Sequence, residues 1–464
     1  MNVKIITGLA SLALLLFAAC GEKEDVKQAG QFQVPVHYYE LDNGLKVILS
    51  PDNTSPTAIV AVYYNIGFRL EPKDRTGFAH LFEHMMFQGS ENLGKMEFIK
   101  LVQENGGVLN GSTRFDFTNY YEIVPSHKLE TVLWAEADRM RGLDISQENL
   151  TNQQGVVKNE VKVNVLNQPY GGFPWLDMPQ YANTNWFNAH NFYGDLEDLD
   201  AASLEDVASF FKTYYAPNNA ALSVVGDFDI EQAKSWISEY FAGIAPAELP
   251  EKPDISEPEQ LEEKSFVKND SLANKPALAI AYHMPERNTT DYYAMGLLDQ
   301  ILLQGDNGLL VQKLENEKGY TADVNGGINY LGNMFNYKGP MLWMFDFTYD
   351  KETSHDEILV AVDEVMADLK NKVTQELIDQ AVVKLRSDLY DNIGGTFGLG
   401  RADLLCSFAL FDNDPGRINS LEEEFKAISP EQLLQTVDNF LRKTNRTILR
   451  VNPLLAENDK SSAQ

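Results

Sequence analysis

His80-Leu81-Phe82-Glu83-His84 places two imidazoles four residues apart, with a carboxylate three residues after the first. On a helix, positions i and i+4 stand one turn apart on the same face and i+3 lies beside them. The surrounding stretch 77–87 drops the two-residue alternation of a strand and takes up helical spacing. Phe78, Leu81, Phe82, Met85, Met86 and Phe87 make that helix apolar nearly all round, so it should be buried. Ionisable groups in such a place must be paired or ligated, and two neutral imidazoles on one helical face suit a metal. Two imidazoles and one further carboxylate would leave zinc (Zn2+) a fourth tetrahedral position for water, the arrangement of a catalytic site. The third ligand has to come from elsewhere in the chain. Glu160, in Val156-Val157-Lys158-Asn159-Glu160-Val161 of a predicted helix and 76 residues after His84, is the candidate.

The elements that must hold these residues read as a mixture of α and β. Short apolar runs at 37–41 and 45–49 flank Asp42-Asn43-Gly44, a hairpin signal, and a longer strand is expected at 57–68. Helices are expected at 97–105, 127–141 and 150–166, with 110–124 between them reading as strand. A strand at 221–225 and a helix at 229–241 close a first domain of 34–244. The segment 245–263, with Pro246, Pro250, Pro253 and Pro258 among glutamates, has the composition of an extended linker. Beyond it, strands at 277–283 and 342–347 and helices at 356–369, 375–389 and 430–441 repeat the mixture over 264–455, before a tail at 456–464. Both halves end alike: a helix, then Pro217-Asn218-Asn219 or Lys443-Thr444-Asn445, then an apolar strand. The fold class expected is α+β, two tandem homologous domains, each a mainly antiparallel sheet packed against helices.

A chain of 464 residues exceeds what one core usually supports, and 44% hydrophobic with 23% charged residues is a globular composition. A formal net charge of −30 excludes a dominant nucleic-acid role, which needs a basic surface. Lys4, the apolar run 5–17 and Ala18-Ala19 read as an export signal over 1–19, too short to span a bilayer comfortably. Phe17-Ala18-Ala19-Cys20 resembles a bacterial lipoprotein cleavage box. That resemblance implies a mature chain acylated at Cys20, tethered through 20–33, and, with Gly21 next, anchored to the outer membrane facing the periplasm. Cys406 sits in an apolar stretch and is expected to be a buried small hydrophobe. His37, His127, His190, His283 and His355 lack ligand spacing and are expected in surface or core roles.

The order His80, Glu83, His84 and then Glu160 at its distance resembles the insulinase/pitrilysin family of inverted-motif zinc metallopeptidases, in a half-size form like processing-peptidase subunits. Gly77, Phe87-Gln88-Gly89-Ser90, Asn110-Gly111-Ser112-Thr113 and Glu136-Ala137-Asp138-Arg139-Met140 agree with the family pattern, over about 34–455. The resemblance implies a zinc endopeptidase acting on peptides or unfolded polypeptides. Zinc would be held by His80, His84 and Glu160, with Glu83 taking the proton from the attacking water and passing it to the leaving amine. It implies that Asn110 lies on an edge strand to which an extended substrate adds. The chain departs from the family at Gln153, where a second acidic residue is common, and at Glu315 and Ala322, where a substrate-clamping arginine and tyrosine would fall. The expectation that follows is a metal-carrying subunit in a clam-like dimer, paired with a related subunit that lacks the zinc motif. The alternative is a non-catalytic binding or assembly lipoprotein that keeps the fold.

Overall fold

A computed structural model describes residues 33–395 and 398–454. The expected signal, Cys20, all but the last residue of the tether and the C-terminal tail lie outside the described residues. Two sheets organise the rest. The first contains β1 (His37–Glu40), β2 (Lys46–Pro51), β3 (Thr57–Tyr64), β4 (Val108–Thr113), β5 (Thr118–Pro125) and β6 (Ala220–Gly226), in the order β1-β2-β6-β3-β5-β4. The second contains β7 (Lys264–Asp270), β8 (Ala277–His283), β9 (Asn325–Ile328), β10 (Leu342–Thr348) and β11 (Arg446–Pro453), in the order β7-β11-β8-β10-β9.

Without the added hairpin strand β1, the two sheets have the same connectivity. β2 pairs with β6 and β7 with β11 in parallel, and every other neighbour is antiparallel. The approach to the last strand is also repeated. Asn219 donates its side-chain amide to Tyr214 O at 2.9 Å just before β6, and Asn445 donates to Phe440 O at 2.8 Å just before β11. The chain is therefore an α+β protein of two tandem, homologous sheet-and-helix halves.

Each half also lends a helix to the other. The helix Asp177–Ala182 sets Met178 and Ala182 against Ala279, Ala281, Leu342, Met344 and Leu449 of the second sheet. In return the helix Leu399–Asp412 lies on the first sheet, where the buried Cys406 thiol points at Ala61 O and Ala221 O, both at 3.8 Å. Burial pushes the Cys406 thiol well up, in keeping with a packing role.

Two readings of the sequence need correction. The stretch 110–124 is a hairpin, not one strand: Arg114 N donates to Phe117 O at 2.8 Å, and Asp116 turns inward to meet buried Arg69 at 2.9 Å. Phe115 and Phe117 hid the turn because both are buried beside it. The helices Thr290–Leu302 and Leu399–Asp412, apolar on most faces, carried no clear period and went unpredicted, as did β7 and β9. The helix expected at 150–166 starts at Gln147, three residues early, capped by Ser146, and its α-helical part ends at Val161 before a wider turn over Lys162–Leu166.

Candidate metal centre

Gly77 starts the helix Phe78–Met85 in a left-handed conformation, φ 81°, where a Cβ would come within 2.5 Å of Tyr193 O. The free N–H groups of Gly77 and Ala79 donate to the buried carboxylate of Glu71 at 2.8 and 2.6 Å. An anion there satisfies orphan donors and complements the helix dipole. Burial raises the Glu71 pKa; the neighbouring His190, 3.7 Å away, and these two N–H groups oppose that push. His190 thus supports the helix start, a structural role. On its other side the helix packs through Phe78 and Phe82 against Phe210 and Tyr215.

Glu160 comes from the helix Gln147–Val161, which Ser146 caps by accepting from Asn149 N at 3.3 Å. The structure brings His80, His84 and Glu160 together. His80 Nε2 lies 3.3 Å from His84 Nε2 and 3.6 Å from Glu160 Oε2, and His84 Nε2 lies 3.4 Å from Glu160 Oε2. A tetrahedral zinc with bonds of about 2.1 Å separates its ligand atoms by about 3.4 Å. The donor set therefore fits such an ion as it stands, with a fourth position left for a water. Among the described residues this is the one group of three or more His, Cys, Asp or Glu that could hold a metal.

The electrostatics suit the same use. Burial, with His84 beside it, lowers the His80 pKa to about 4, so the ring is neutral, the form that ligates. Burial pushes Glu160 up, but its hydrogen bond to His84 and the two imidazoles outweigh that and hold it below the usual range, hence ionised. Tyr193 OH donates to Glu160 Oε1 at 3.1 Å while its ring packs edge-on to His80. Gln153, at the position where family members often carry a second acid, is buried and donates to Asn152 Oδ1 at 2.8 Å.

Glu83 faces β4. Thr113 Oγ1 donates to Glu83 Oε2 at 2.7 Å, and a Cβ on Gly111 would sit 3.3 Å from Glu83 Cγ. Burial raises the Glu83 pKa, and Thr113 pulls the other way. A carboxylate so placed takes up a proton more readily than a solvated one. Asn110 lies on β4, the edge strand of its sheet, with Oδ1 accepting from Gly111 N at 3.0 Å. Glu315 and Ala322 are in the second half, where Glu315 accepts from Val324 N at 2.7 Å and Ala322 is exposed. Sequence reasoning missed Glu71, Tyr193 and His190 as supports. Only the aromatic run Phe192-Tyr193 before Gly194 offered any signal.

Comparison with known proteins agrees with this frame. A model described as Insulinase (Peptidase family M16) matches residues 46–187, and one described as Peptidase M16 inactive domain matches 201–385. The chain is 25% identical to the zinc protease PqqE of Helicobacter pylori over 97% of this chain and 99% of that protein. It is 22% identical to a probable mitochondrial-processing peptidase subunit beta of Arabidopsis thaliana, over 44% of this chain and 38% of that one. The crystal structure of a protease from Helicobacter pylori superposes with a TM-score of 0.82 at 23% identity, covering 90% of this chain and all of that one. The chain belongs to the insulinase/pitrilysin family, peptidase family M16, as a half-size member.

Proposed function

We propose that this chain is a zinc-dependent endopeptidase for peptides or unfolded polypeptides. The observation that carries the reading is the triangle of donor atoms from His80, His84 and Glu160, with sides of 3.3, 3.6 and 3.4 Å. Those three side chains would hold the ion, which when bound acidifies a water and polarises a peptide carbonyl. Glu83 takes the proton from the attacking water and delivers it to the leaving amine. Its raised pKa suits a group that must both accept and release a proton. Thr113 fixes the carboxylate's orientation, and Tyr193 does the same for Glu160. An extended substrate adds to the free edge of β4, beside Asn110, by backbone hydrogen bonds.

The proposal extends to the whole protein. The domains divide at 34–244 and 264–455 around the linker, and the export signal with Cys20 anchors the chain by lipid to the outer membrane, facing the periplasm. It works as the metal-carrying half of a dimer whose partner supplies the clamp residues that Glu315 and Ala322 replace. That same replacement favours a second reading, a non-catalytic binding or assembly lipoprotein. A quenched mixed-peptide library separates the two. Cleavage that disappears on chelation and returns with zinc supports the peptidase, whereas a zinc-loaded chain that stays silent alone and with its partner subunit supports the other.

A further inference from the structure

β4 presents different chemistry on its two faces. Gly111 and Thr113 face the helix that carries Glu83, as the 2.7 Å Thr113 bond requires. Asn110 and Ser112 point the other way, into a cavity of about 440 Å3. The first half contributes Asn110, Ser112, Arg114 and Asn119 to its lining; the second contributes Asn333 and Asp403. The space is lined by amides and by the rings of Tyr63, Phe117 and Tyr121, beside the edge to which a substrate strand would add.

Arg114 is the one cation of the lining among the described residues. Arg69, Arg139, Arg287 and Arg401 all meet carboxylates within 3.1 Å. Arg114 has no carboxylate within 4.0 Å among the described residues, in a chain of net charge −30. Among the described residues its guanidinium donates only to Thr113 O, at 3.3 Å, a contact that leaves most of its donors for a ligand. Asp403 feels the Arg114 charge through space but makes no ion pair with it within 4.0 Å, its oxygens being held by other donors. One Asp403 oxygen accepts from Tyr63 OH at 2.8 Å and the other from Asn333 Nδ2 at 3.1 Å, and burial pushes its pKa up. Asp391 also lines the cavity but is exposed to solvent, where its charge is screened.

A peptide paired with β4 would alternate its side chains between these faces. We infer that the cavity is a side-chain subsite for a substrate carboxylate, one residue removed from the position that faces Glu83, with Arg114 as its recognition group. The carboxylate comes from an acidic side chain or from the C-terminus of a short peptide. A guanidinium offers two parallel donors to either, and the cavity amides supply further partners. This inference rests on the peptidase reading for its choice of ligand, but binding can be measured without turnover.

The test uses the full, zinc-loaded chain with Glu83→Gln and fluorescent peptides that carry Glu, Gln or Lys scanned through one sequence, each with a free or amidated C-terminus. At one position the Glu peptide is expected to bind about tenfold tighter than its Gln counterpart. Adding Arg114→Gln collapses that difference, and Arg114→Glu reverses the preference in favour of Lys. Weaker binding on amidation whatever the scanned residue, abolished by Arg114→Gln, would identify the C-terminal source. Equal binding of Glu, Gln and Lys peptides at every position together with no effect of amidation, or a carboxylate preference of either kind that survives Arg114→Gln, overturns the inference. Charge-selective binding by a chain that, with Glu83 intact, cleaves none of these peptides would defeat the peptidase reading and leave the subsite standing.

Discussion

The two halves share one connectivity, yet the same place in each is furnished differently. In the first, the helix after β3, the second strand of the repeat, brings His80 and His84 to Glu160 on a later helix. In the second, the helix Thr290–Leu302 follows β8, the counterpart of β3, and brings Gln300 to Asp388 on the helix Gln375–Gly394 at 3.2 Å. Where Glu83 meets Thr113 of the edge hairpin, Asp299 accepts from Trp343 Nε1 of β10 at 2.8 Å and from Gln304 Nε2 at 3.0 Å. One frame thus supports a set of donors that could hold a metal in one copy and a hydrogen-bonded polar pair in the other. The fold fixes which helices meet; the side chains decide whether anything is held between them.

The comparison breaks most visibly if turnover fails to follow the first half. Glu83→Gln is expected to lower kcat by about a thousandfold, within the usual span for a general base. Asp299→Asn is expected to leave kcat within about twofold, and steady-state assays on a quenched peptide check both. Metal retention comes next. Glu160→Gln is expected to weaken zinc binding by about a hundredfold or more in chelator competition, while Gln300→Ala leaves it unchanged. Tyr193→Phe, which removes only the hydrogen bond to Glu160, is expected to cost about tenfold in the same assay.

Stability also separates the two halves, and there the signs oppose each other. Folding lowers the His80 pKa from 6.5 to about 4, so the unfolded chain binds more protons between those values. The metal-free protein therefore loses stability as pH falls through that window. Folding raises Asp299 from 3.8 to about 7, mainly by burial, so there the folded chain binds more protons, and stability is lost as pH rises from 3.8 to about 7. Each contribution is about 3–4 kcal/mol at full extent. Denaturant titrations of His80→Gln and Asp299→Asn across pH 4 to 8, a span of about four units, should flatten one limb each.

Much of the first half was legible because its signals are local. Asp42-Asn43-Gly44 reads as a turn, and the strands on either side pair as β1 and β2. His80, Glu83 and His84 fall on one helix because their spacing is helical, and the apolar residues around them are buried. What stayed hidden depends on contacts between distant segments. Glu71 and Tyr193 look ordinary in sequence; their roles arise only because Gly77 brings the helix start against Tyr193 O. The helix Leu399–Asp412 was illegible because it is buried between its own half and the first sheet, which removes the polar face that would reveal a period. The polar pair of the second half was equally unreadable, since Asp299-Gln300 matches no motif until the topology places it opposite Asp388.

The most direct test of the central claim measures zinc per chain alongside hydrolysis of one quenched peptide, for the unmodified chain and for Glu83→Gln, each alone and with its partner subunit. The account predicts a single zinc in each protein and cleavage only with Glu83 present. A chain that binds no zinc, or a variant that cleaves as well as its parent, would contradict it.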